Sequence, residues 1–264
     1  MELKKIVYTV ENGIGIIAMN YMKNLNAIDS QMADELIYAL DACEKDPDVK
    51  VIVIKGVEKA FSAGGDIGYF YKLIQDGGDI SMDDLIAKVG MVTDGLKKLG
   101  KMVIASVSGA AAGAGFSLAL SADFIICAEN AKFIMAFVNL GLVPDTGGMY
   151  LLAKSIGTQR AMQLCATGRP LSAQEAQEAG LVYQTVPKEE LDDTVMKFAA
   201  KLAGGPLVSY KNIKKQMYET CYKDYEDFLA ECEAATQREC ASSMDFQEGV
   251  KAFVEKRRPV FQGR

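Results

Sequence analysis

Two small-residue turns in this chain have the composition of oxygen-binding sites. Ala63-Gly64-Gly65-Asp66 and Gly113-Ala114-Gly115 each follow a strand-like run and precede a possible helix. Small residues let a ligand approach the backbone closely, and the first turn of a helix leaves N–H groups unpaired with a positive potential. Two such turns side by side can aim two N–H donors at one oxygen and form an oxyanion hole. Taken alone, each turn is more typical of close packing between a strand and a helix.

Two phosphate-binding motifs compete for these turns, and both are incomplete. Gly113-Ala114-Gly115 lacks the third glycine of a dinucleotide-binding fingerprint, and no acidic residue ends a following strand at the required distance. The Gly-Lys-Ser/Thr triplet of a P-loop does not occur in the chain. The sequence therefore gives no support to a nucleotide phosphate site at either turn.

The chain contains no histidine, which narrows the possible chemistry. Ser-His-Asp and Cys-His catalysis are excluded, as are zinc motifs that use histidine, so we expect no metal site. A catalytic acid or base must be a carboxylate, Lys, Tyr or Cys. The six cysteines form no CxxC pair and are typical of reduced, buried thiols, which favours a cytoplasmic location.

One acid stands out in a loop before a predicted helix, within Pro144-Asp145-Thr146-Gly147-Gly148. Aspartate is a common helix N-cap and turn residue because its side chain accepts hydrogen bonds from nearby backbone N–H groups. On spacing alone, Asp145 is better explained by that structural role than by catalysis.

Strands alternate with helices around these candidates. Two apolar runs around an Asn12-Gly13 turn predict a hairpin over residues 5–19. Helical spacing predicts a helix over 30–44, capped by Asp29 or Ser30, and another over 84–99. A loop or frayed helix is predicted over 68–83, which carries Gly77-Gly78. Apolar, mostly β-branched runs predict the remaining strands, at 49–56, 102–107, 123–128, 132–136 and 181–186.

This alternation predicts an α/β fold with mainly parallel sheets covered by helices. Gly204-Gly205-Pro206 precedes a largely helical end of the chain. We therefore predict a core domain over residues 1–203, which holds the active site, and a C-terminal helical region over 204–264. The latter is a natural place for contacts between subunits.

Composition argues against two classes of partner. The net charge of −6 is opposite to the basic surface typical of a nucleic-acid binder. No apolar run approaches the roughly 20 residues needed to span a membrane, and no signal-peptide pattern opens the chain. We expect neither nucleic acid nor membrane as a partner.

Five segments together carry a family resemblance. Residues 61–67 (F-S-A-G-G-D-I) and 107–123 resemble the two oxyanion segments of the enoyl-CoA hydratase/isomerase, or crotonase, superfamily. Residues 26–28 (N-A-I), 167–182 and 249–256 are similar to further elements of that family, in the same order. The resemblance implies a ββα spiral with a C-terminal helical trimerisation region, assembled as a homotrimer or homohexamer.

The resemblance also implies roles for individual residues. The backbone N–H groups of Gly65 and Ala114 would bind the thioester carbonyl oxygen of an acyl-CoA. Coenzyme A would enter as part of this substrate, with no separate cofactor. The implied coenzyme A contacts include two from a neighbouring subunit, Phe253 and Lys256; the others are Lys23, Ala27, Ala63, Asp66 and Ile67.

Within the family, the number and position of the active-site carboxylates distinguish hydratases from isomerases. Its hydratases use two glutamates, and the matching positions here are Ser117 and Phe137, which cannot do paired acid–base work on water. The Pro-Asp-x-Gly-Gly element resembles the 1,2-epoxyphenylacetyl-CoA isomerase and Δ3,Δ2-enoyl-CoA isomerase branch, which relies on one carboxylate in this region. The resemblance thus implies an isomerase in which Asp145 removes and returns a proton.

Side-chain surroundings are predicted for this acid and for the acyl group. An apolar lining from Met135, Phe137 and Leu142 would raise the pKa of Asp145 towards a useful range. An aromatic cluster, Tyr69-Phe70-Tyr71, is a candidate for the acyl pocket, although packing is its commoner role.

Two alternatives stay open at this point. A hydratase or acyl-CoA hydrolase could use Asp145, with Ser117 acting through water. A non-catalytic binding protein on the same fold is the alternative of another class, and some family members bind RNA. The net charge argues against RNA, and the only basic cluster is Lys256-Arg257-Arg258.

Overall fold

A computed structural model describes residues 1–57, 59–76 and 82–264 of the chain. Across these residues, the strands form a six-stranded sheet, in the order β1-β2-β3-β5-β7-β10, and a four-stranded sheet, in the order β4-β6-β8-β9. The strands are β1 (Ile6–Glu11), β2 (Ile14–Met19), β3 (Val51–Gly56), β4 (Ala60–Ser62), β5 (Met102–Val107), β6 (Ala110–Ala112), β7 (Phe124–Ala128), β8 (Lys132–Ile134), β9 (Leu171–Ser172) and β10 (Gln184–Val186).

The α-helices follow most of these strands and cover the sheets. They are α1 (Ser30–Lys45), α2 (Ile67–Gln75), α3 (Asp83–Lys98), α4 (Ala114–Ser121), α5 (Gly148–Ile156), α6 (Thr158–Thr167), α7 (Ala173–Glu178), α8 (Leu191–Ala203), α9 (Leu207–Met217), α10 (Tyr225–Asp227), α11 (Ala234–Ala241) and α12 (Met244–Val254). Two π-helical segments, Tyr218–Tyr222 and Phe228–Glu233, lie between the later helices.

The six-stranded sheet has a covered central region, as its sequence predicts. β2, β3, β5 and β7 pair in parallel, and β5 is buried along its whole length. One face packs against the main core with α1, α3 and α4, and the other packs against α8. Strands enclosed on both faces explain the continuous apolar runs in the sequence.

The predicted hairpin and first helix are confirmed. β1 and β2 pair in antiparallel across Asn12 and Gly13, whose φ angles of 52° and 81° suit a two-residue hairpin turn. Asp29 caps α1, because its side chain accepts a hydrogen bond from the Met32 N–H at 2.9 Å.

Two predicted boundaries are wrong, and one open alternative is decided. The segment predicted as a loop or frayed helix from residue 68 is helix α2 as far as Gln75, capped by the side chain of Asp66; Gly77 and Gly78 lie outside the described residues. The strand predicted from 181 starts at Gln184, because the Leu181 N–H still bonds to the Ala176 carbonyl after α7. The strand predicted over 132–136 ends at Ile134, where a 3-10 turn begins.

The C-terminal helices pack against the main core rather than standing apart from it. Tyr225, Phe246 and Val250 are fully buried members of that core. The division of the chain after residue 203 stays a prediction. No helix among the described residues has the length and apolar character needed to cross a membrane.

Candidate active site

The two small-residue turns lie side by side. β4 and β6 are neighbouring parallel strands, so the turns that follow them leave the sheet at the same edge. Gly64 has a φ of +90°, and a Cβ there would lie 2.6 Å from the Ala112 carbonyl oxygen and 3.4 Å from the Ala114 nitrogen. This close approach requires glycine, and it brings the two turns into direct contact.

The two predicted donors point their N–H groups away from the surrounding backbone. Gly65 is the centre of an isolated parallel bridge to Ile28, in which the Ile28 N–H bonds to the Gly64 carbonyl at 2.6 Å. The Gly65 N–H therefore faces the opposite side. Ala114 is the first residue of α4, so its N–H has no acceptor within the helix. Within the described part of the chain, neither group has a backbone acceptor.

A narrow apolar cavity of about 70 Å³ opens in front of both turns. Gly65 and Ala114 line it, together with side chains of α2, α3 and the 136–142 segment, among them Phe70, Ile86 and Phe137. Asp145 is the one titratable side chain among the described residues that line this cavity. Sequence reasoning had placed these three predicted catalytic residues together only by resemblance.

Asp145 is buried, with 8% of its surface exposed. Burial raises the pKa of its carboxyl to about 6, although hydrogen bonds from Gln237 and Thr146 pull the pKa down. An acid with this pKa is mostly ionised at neutral pH and can still hold a proton during a reaction. It therefore meets the requirement for a general base that must also act as the acid.

Two polar side chains of the C-terminal helices support the acid loop, and neither was predicted. The Gln237 amide nitrogen donates to Oδ2 of Asp145 at 2.8 Å, and Gln237 is fully buried. The Glu233 carboxylate accepts from the Gly147 N–H at 3.0 and 3.1 Å. Burial, followed by the charge of Asp145, raises the pKa of Glu233 to about 9. Burial raises both pKa values, and the pKa of Asp145 is the lower, so Asp145 ionises before Glu233.

The backbone beside the base is held in an uncommon conformation. Thr146 has a φ of +53°, in the left-handed region that β-branched residues rarely occupy. Such conformations cost of order 1–3 kcal/mol and persist where surrounding contacts hold them. Here the contacts come from the Glu233 carboxylate, which lies against the backbone of Thr146 and Gly147.

Ser117 and Phe137 occupy the two positions where the family resemblance places the acids of hydratases, and both have other contacts in this chain. Ser117 is fully buried, and its hydroxyl donates to the backbone carbonyl of Asp145 at 3.1 Å. It fixes the base loop against α4 instead of facing the cavity. Phe137 lines the cavity with an aromatic ring. Neither side chain supplies a second acid or base.

The predicted apolar lining is partly wrong. Phe137 and Leu142 line the cavity, but Met135 does not; its sulfur lies against Gly148 at the start of α5. Of the aromatic cluster, Phe70 lines the cavity, Tyr69 is 48% exposed, and Tyr71 lies in a surface groove with α12. The helical phase of α2 turns only one of the three rings inward.

The predicted coenzyme A contacts fall into two groups. Ala63 and Ile67 line the cavity, and Ala27 is buried next to Ile28, which also lines it. Asp66 caps α2, and its side chain also accepts a hydrogen bond from the Asn24 amide at 2.9 Å. Lys23 is exposed on the 3-10 turn Met22–Asn24. Phe253 and Lys256 are exposed at the end of α12, away from this cavity. Contact of these residues with coenzyme A stays a prediction.

Sequence and fold comparisons agree with this geometry. The chain belongs to the enoyl-CoA hydratase/isomerase family, whose sequence model matches residues 9–264. It is 37% identical to the trans-2-decenoyl-[acyl-carrier-protein] isomerase of Streptococcus mutans over the full length of both chains. It is 36% identical to the 1,2-epoxyphenylacetyl-CoA isomerase of Escherichia coli, covering 98% of each chain.

The fold prediction is confirmed by a solved structure. An enoyl-CoA hydratase from Mycobacterium avium subsp. paratuberculosis superposes with a TM-score of 0.90 and 31% identity, covering 99% of this chain and 100% of that one. The chain therefore has the α/β crotonase fold with C-terminal helices. Its relatives include both isomerases and hydratases, for example a probable enoyl-CoA hydratase of Rhodobacter capsulatus at 34% identity.

Proposed function

We propose that this protein is an isomerase that shifts a double bond in an acyl-CoA thioester, with Asp145 as the only proton shuttle. One observation carries the proposal. A single buried carboxyl shares an apolar cavity with two backbone N–H donors, and the two positions that hold acids in hydratases are Ser117 and Phe137.

The reaction follows from these groups. The thioester oxygen would accept hydrogen bonds from the N–H groups of Gly65 and Ala114, which makes the proton on C2 of a 3-enoyl thioester more acidic. The Asp145 carboxylate takes that proton, and the electrons spread over C2, C4 and the oxygen as a dienolate. The acid then returns the proton to C4, which leaves the double bond between C2 and C3. Each oxyanion donor supplies about 3–4 kcal/mol in related acyl-transfer sites.

The cavity suits a reaction that needs no water. Its described lining is apolar apart from Asp145 and Thr146 and the two turns. A dienolate in such surroundings is protected from stray protonation, and the same surroundings give the base its raised pKa. Hydration would need a second group to activate water, and Ser117 is occupied by the Asp145 carbonyl.

The carrier of the acyl group is a separate question. The relative from Streptococcus mutans is named for an acyl-carrier-protein thioester, and the relative from Escherichia coli is named for a coenzyme A thioester. We propose the coenzyme A thioester of a linear or ring-containing acid as the substrate. Parallel assays with 3-decenoyl groups on both carriers measure the preference.

Asp145→Asn tests the proposed base. We expect kcat for 3-enoyl to 2-enoyl conversion to fall by about 10²–10⁴, because the amide cannot take the proton. Affinity for the acyl thioester and the thermal melting curve should change little. Asp41→Asn is the matched control, since Asp41 is an exposed residue paired with Lys45. Retained isomerase activity in Asp145→Asn, or efficient hydration of crotonyl-CoA by the unaltered protein, would contradict the proposal.

A further inference from the structure

We propose that Gln237 is a positioning residue that decides which oxygen of Asp145 carries the proton. The inference rests on the proposed isomerase function and goes one step further, because it assigns the two carboxylate oxygens different tasks. Its basis is the hydrogen-bond geometry of a fully buried amide that connects the C-terminal helices to the base.

The orientation of the Gln237 amide is fixed by its second hydrogen bond. The Val143 N–H donates to the Gln237 side-chain oxygen at 3.2 Å. A backbone N–H can only donate, so this end of the amide must be the oxygen and the other end must be the nitrogen. The nitrogen lies 2.8 Å from Oδ2 of Asp145.

This orientation leaves Oδ1 as the proton-carrying oxygen. An amide nitrogen donates and does not accept. A proton on Oδ2 would make it a hydroxyl oxygen, which is a weaker acceptor for the Gln237 N–H, whereas a proton on Oδ1 leaves Oδ2 as the carbonyl oxygen that accepts this bond. The proton removed from the substrate is therefore held on Oδ1. Both proton transfers of the isomerisation then use the same oxygen, on one face of the substrate.

Two further hydrogen bonds hold the backbone on either side of the Asp145 side chain. The Asp145 carbonyl accepts from the Ser117 hydroxyl at 3.1 Å, and the Gly147 N–H is bound by Glu233. Among the described residues, Glu233 lies next to the acid loop, and the charge of Asp145 raises its pKa. Glu233 ends the π-helical segment that leads into α11, the helix of Gln237. The described cavity faces of α2, α3 and α4 bring only apolar or uncharged groups towards the acid.

Gln237→Met tests the role, because methionine has a similar length and no donor. Loss of the hydrogen bond to the ionised form raises the pKa of Asp145. We expect the pKa that sets the acidic limb of the kcat–pH profile to rise by about one unit, so that kcat falls by about fivefold more at pH 6 than at pH 8. KM should change little. Glu239→Met, on the exposed face of the same helix, is the matched control.

Gln237→Glu is the second variant and guards against a folding defect in the first. A glutamate can accept from the Val143 N–H. Its negative charge repels that of the Asp145 carboxylate, so the pKa of Asp145, and with it the acidic limb of the kcat–pH profile, should move up further. An unmoved acid limb in both variants, whether or not kcat falls, would overturn the proposal, because a purely structural role lowers kcat equally at all pH values.

A direct titration separates this inference from the proposed function. The pKa of Asp145 can be followed by ¹³C NMR of labelled aspartate, with Asp145→Asn identifying the signal. A higher pKa in Gln237→Met supports the assignment even if the natural substrate differs from an enoyl thioester. An unchanged pKa refutes it even if the protein is an active isomerase.

Discussion

The two sides of the cavity are built in different ways. The oxyanion side, residues 63–66 and 113–115, presents backbone N–H groups, and each donor is set by one short strand–turn–helix segment. The acid side, residues 143–147 with Glu233 and Gln237, presents one carboxyl whose supports come from about 90 residues further along the chain. Backbone N–H groups do not titrate near neutral pH. The titratable side chain among the described cavity-lining residues, Asp145, lies on the acid side.

This difference separates two kinds of vulnerability. Substitution of a side chain leaves a backbone N–H in place, so the oxyanion side is sensitive mainly to changes of backbone conformation, as at Gly64. The acid side depends on buried polar side chains, and each loss leaves a buried partner unsatisfied. Three measurements test this difference between the oxyanion side and the acid side.

Ala114→Pro should produce the largest effect of the three. Proline fits the first position of a helix and removes the N–H, so α4 is kept while one oxyanion donor is lost. We expect kcat to fall by about 10²–10³, as for removal of a single donor elsewhere. Ala114→Ser retains the N–H and should lose far less activity. Full activity in a folded Ala114→Pro protein would show that this N–H is not a donor.

The pH dependence of kcat should come from the acid side alone. Asp145 has a pKa of about 6, so below that pH the base is protonated and kcat falls by about tenfold for each pH unit. Between pH 7 and 8 we expect a plateau, and Ala114→Pro should keep the same acid limb. A bell-shaped profile between pH 5 and 8, measured with the unaltered protein, would indicate a second titrating group and a hydratase-like acid pair.

Glu233→Gln should give the smallest effect on activity and a visible effect on stability. The pKa of Glu233 is raised to about 9 from an ordinary value of 4.5. The folded state thus binds this proton more tightly than the unfolded state, and the associated stability is present below pH 4.5 and lost as the pH rises through 9. The glutamine resembles the protonated acid and can still accept from the Gly147 N–H.

Thermal melts between pH 5 and 9 measure this effect. The unaltered protein should lose melting temperature across the range, and Glu233→Gln should lose less. A difference of about 1 kcal/mol at pH 8.5 corresponds to roughly 2–4 °C in a chain of this size. Parallel curves for the two proteins would mean that Glu233 is already ionised in the folded state.

The contrast also explains what the sequence could predict. The oxyanion side was predictable because strand, turn and helix follow one another directly, and the family pattern lies within a few residues. Gln237 and Glu233 were missed because their partner is remote in sequence and because a π-helical segment, Phe228–Glu233, interrupts the helical end of the chain and changes which residues share a face. A signal was present: Glu233 and Gln237 interrupt an apolar stripe that includes Leu229 and Ala241 at spacings of four.

Helix α2 shows a different limit, because a local signal left its prediction open between a loop and a frayed helix. Gly77-Gly78 is typical of a loop, whereas Asp66 is a good N-cap and Ile67, Phe70 and Ile74 recur at helical spacing. The helix has nine residues and ends at Gln75, before the glycines. Its phase then decides that Phe70, and neither neighbouring tyrosine, reaches the cavity.

The Ser117 hydroxyl has a consequence for how this fold changes its reaction. It connects the Asp145 carbonyl, on the acid side, to α4, whose first N–H is the proposed oxyanion donor, so this bond helps to hold the two sides together. The family resemblance implies that hydratases carry a glutamate at this position. A glutamate introduced here would supply the missing acid and at the same time release the existing base. Conversion between the two chemistries therefore requires compensating changes in the 143–147 loop, and a single substitution is expected to yield neither enzyme.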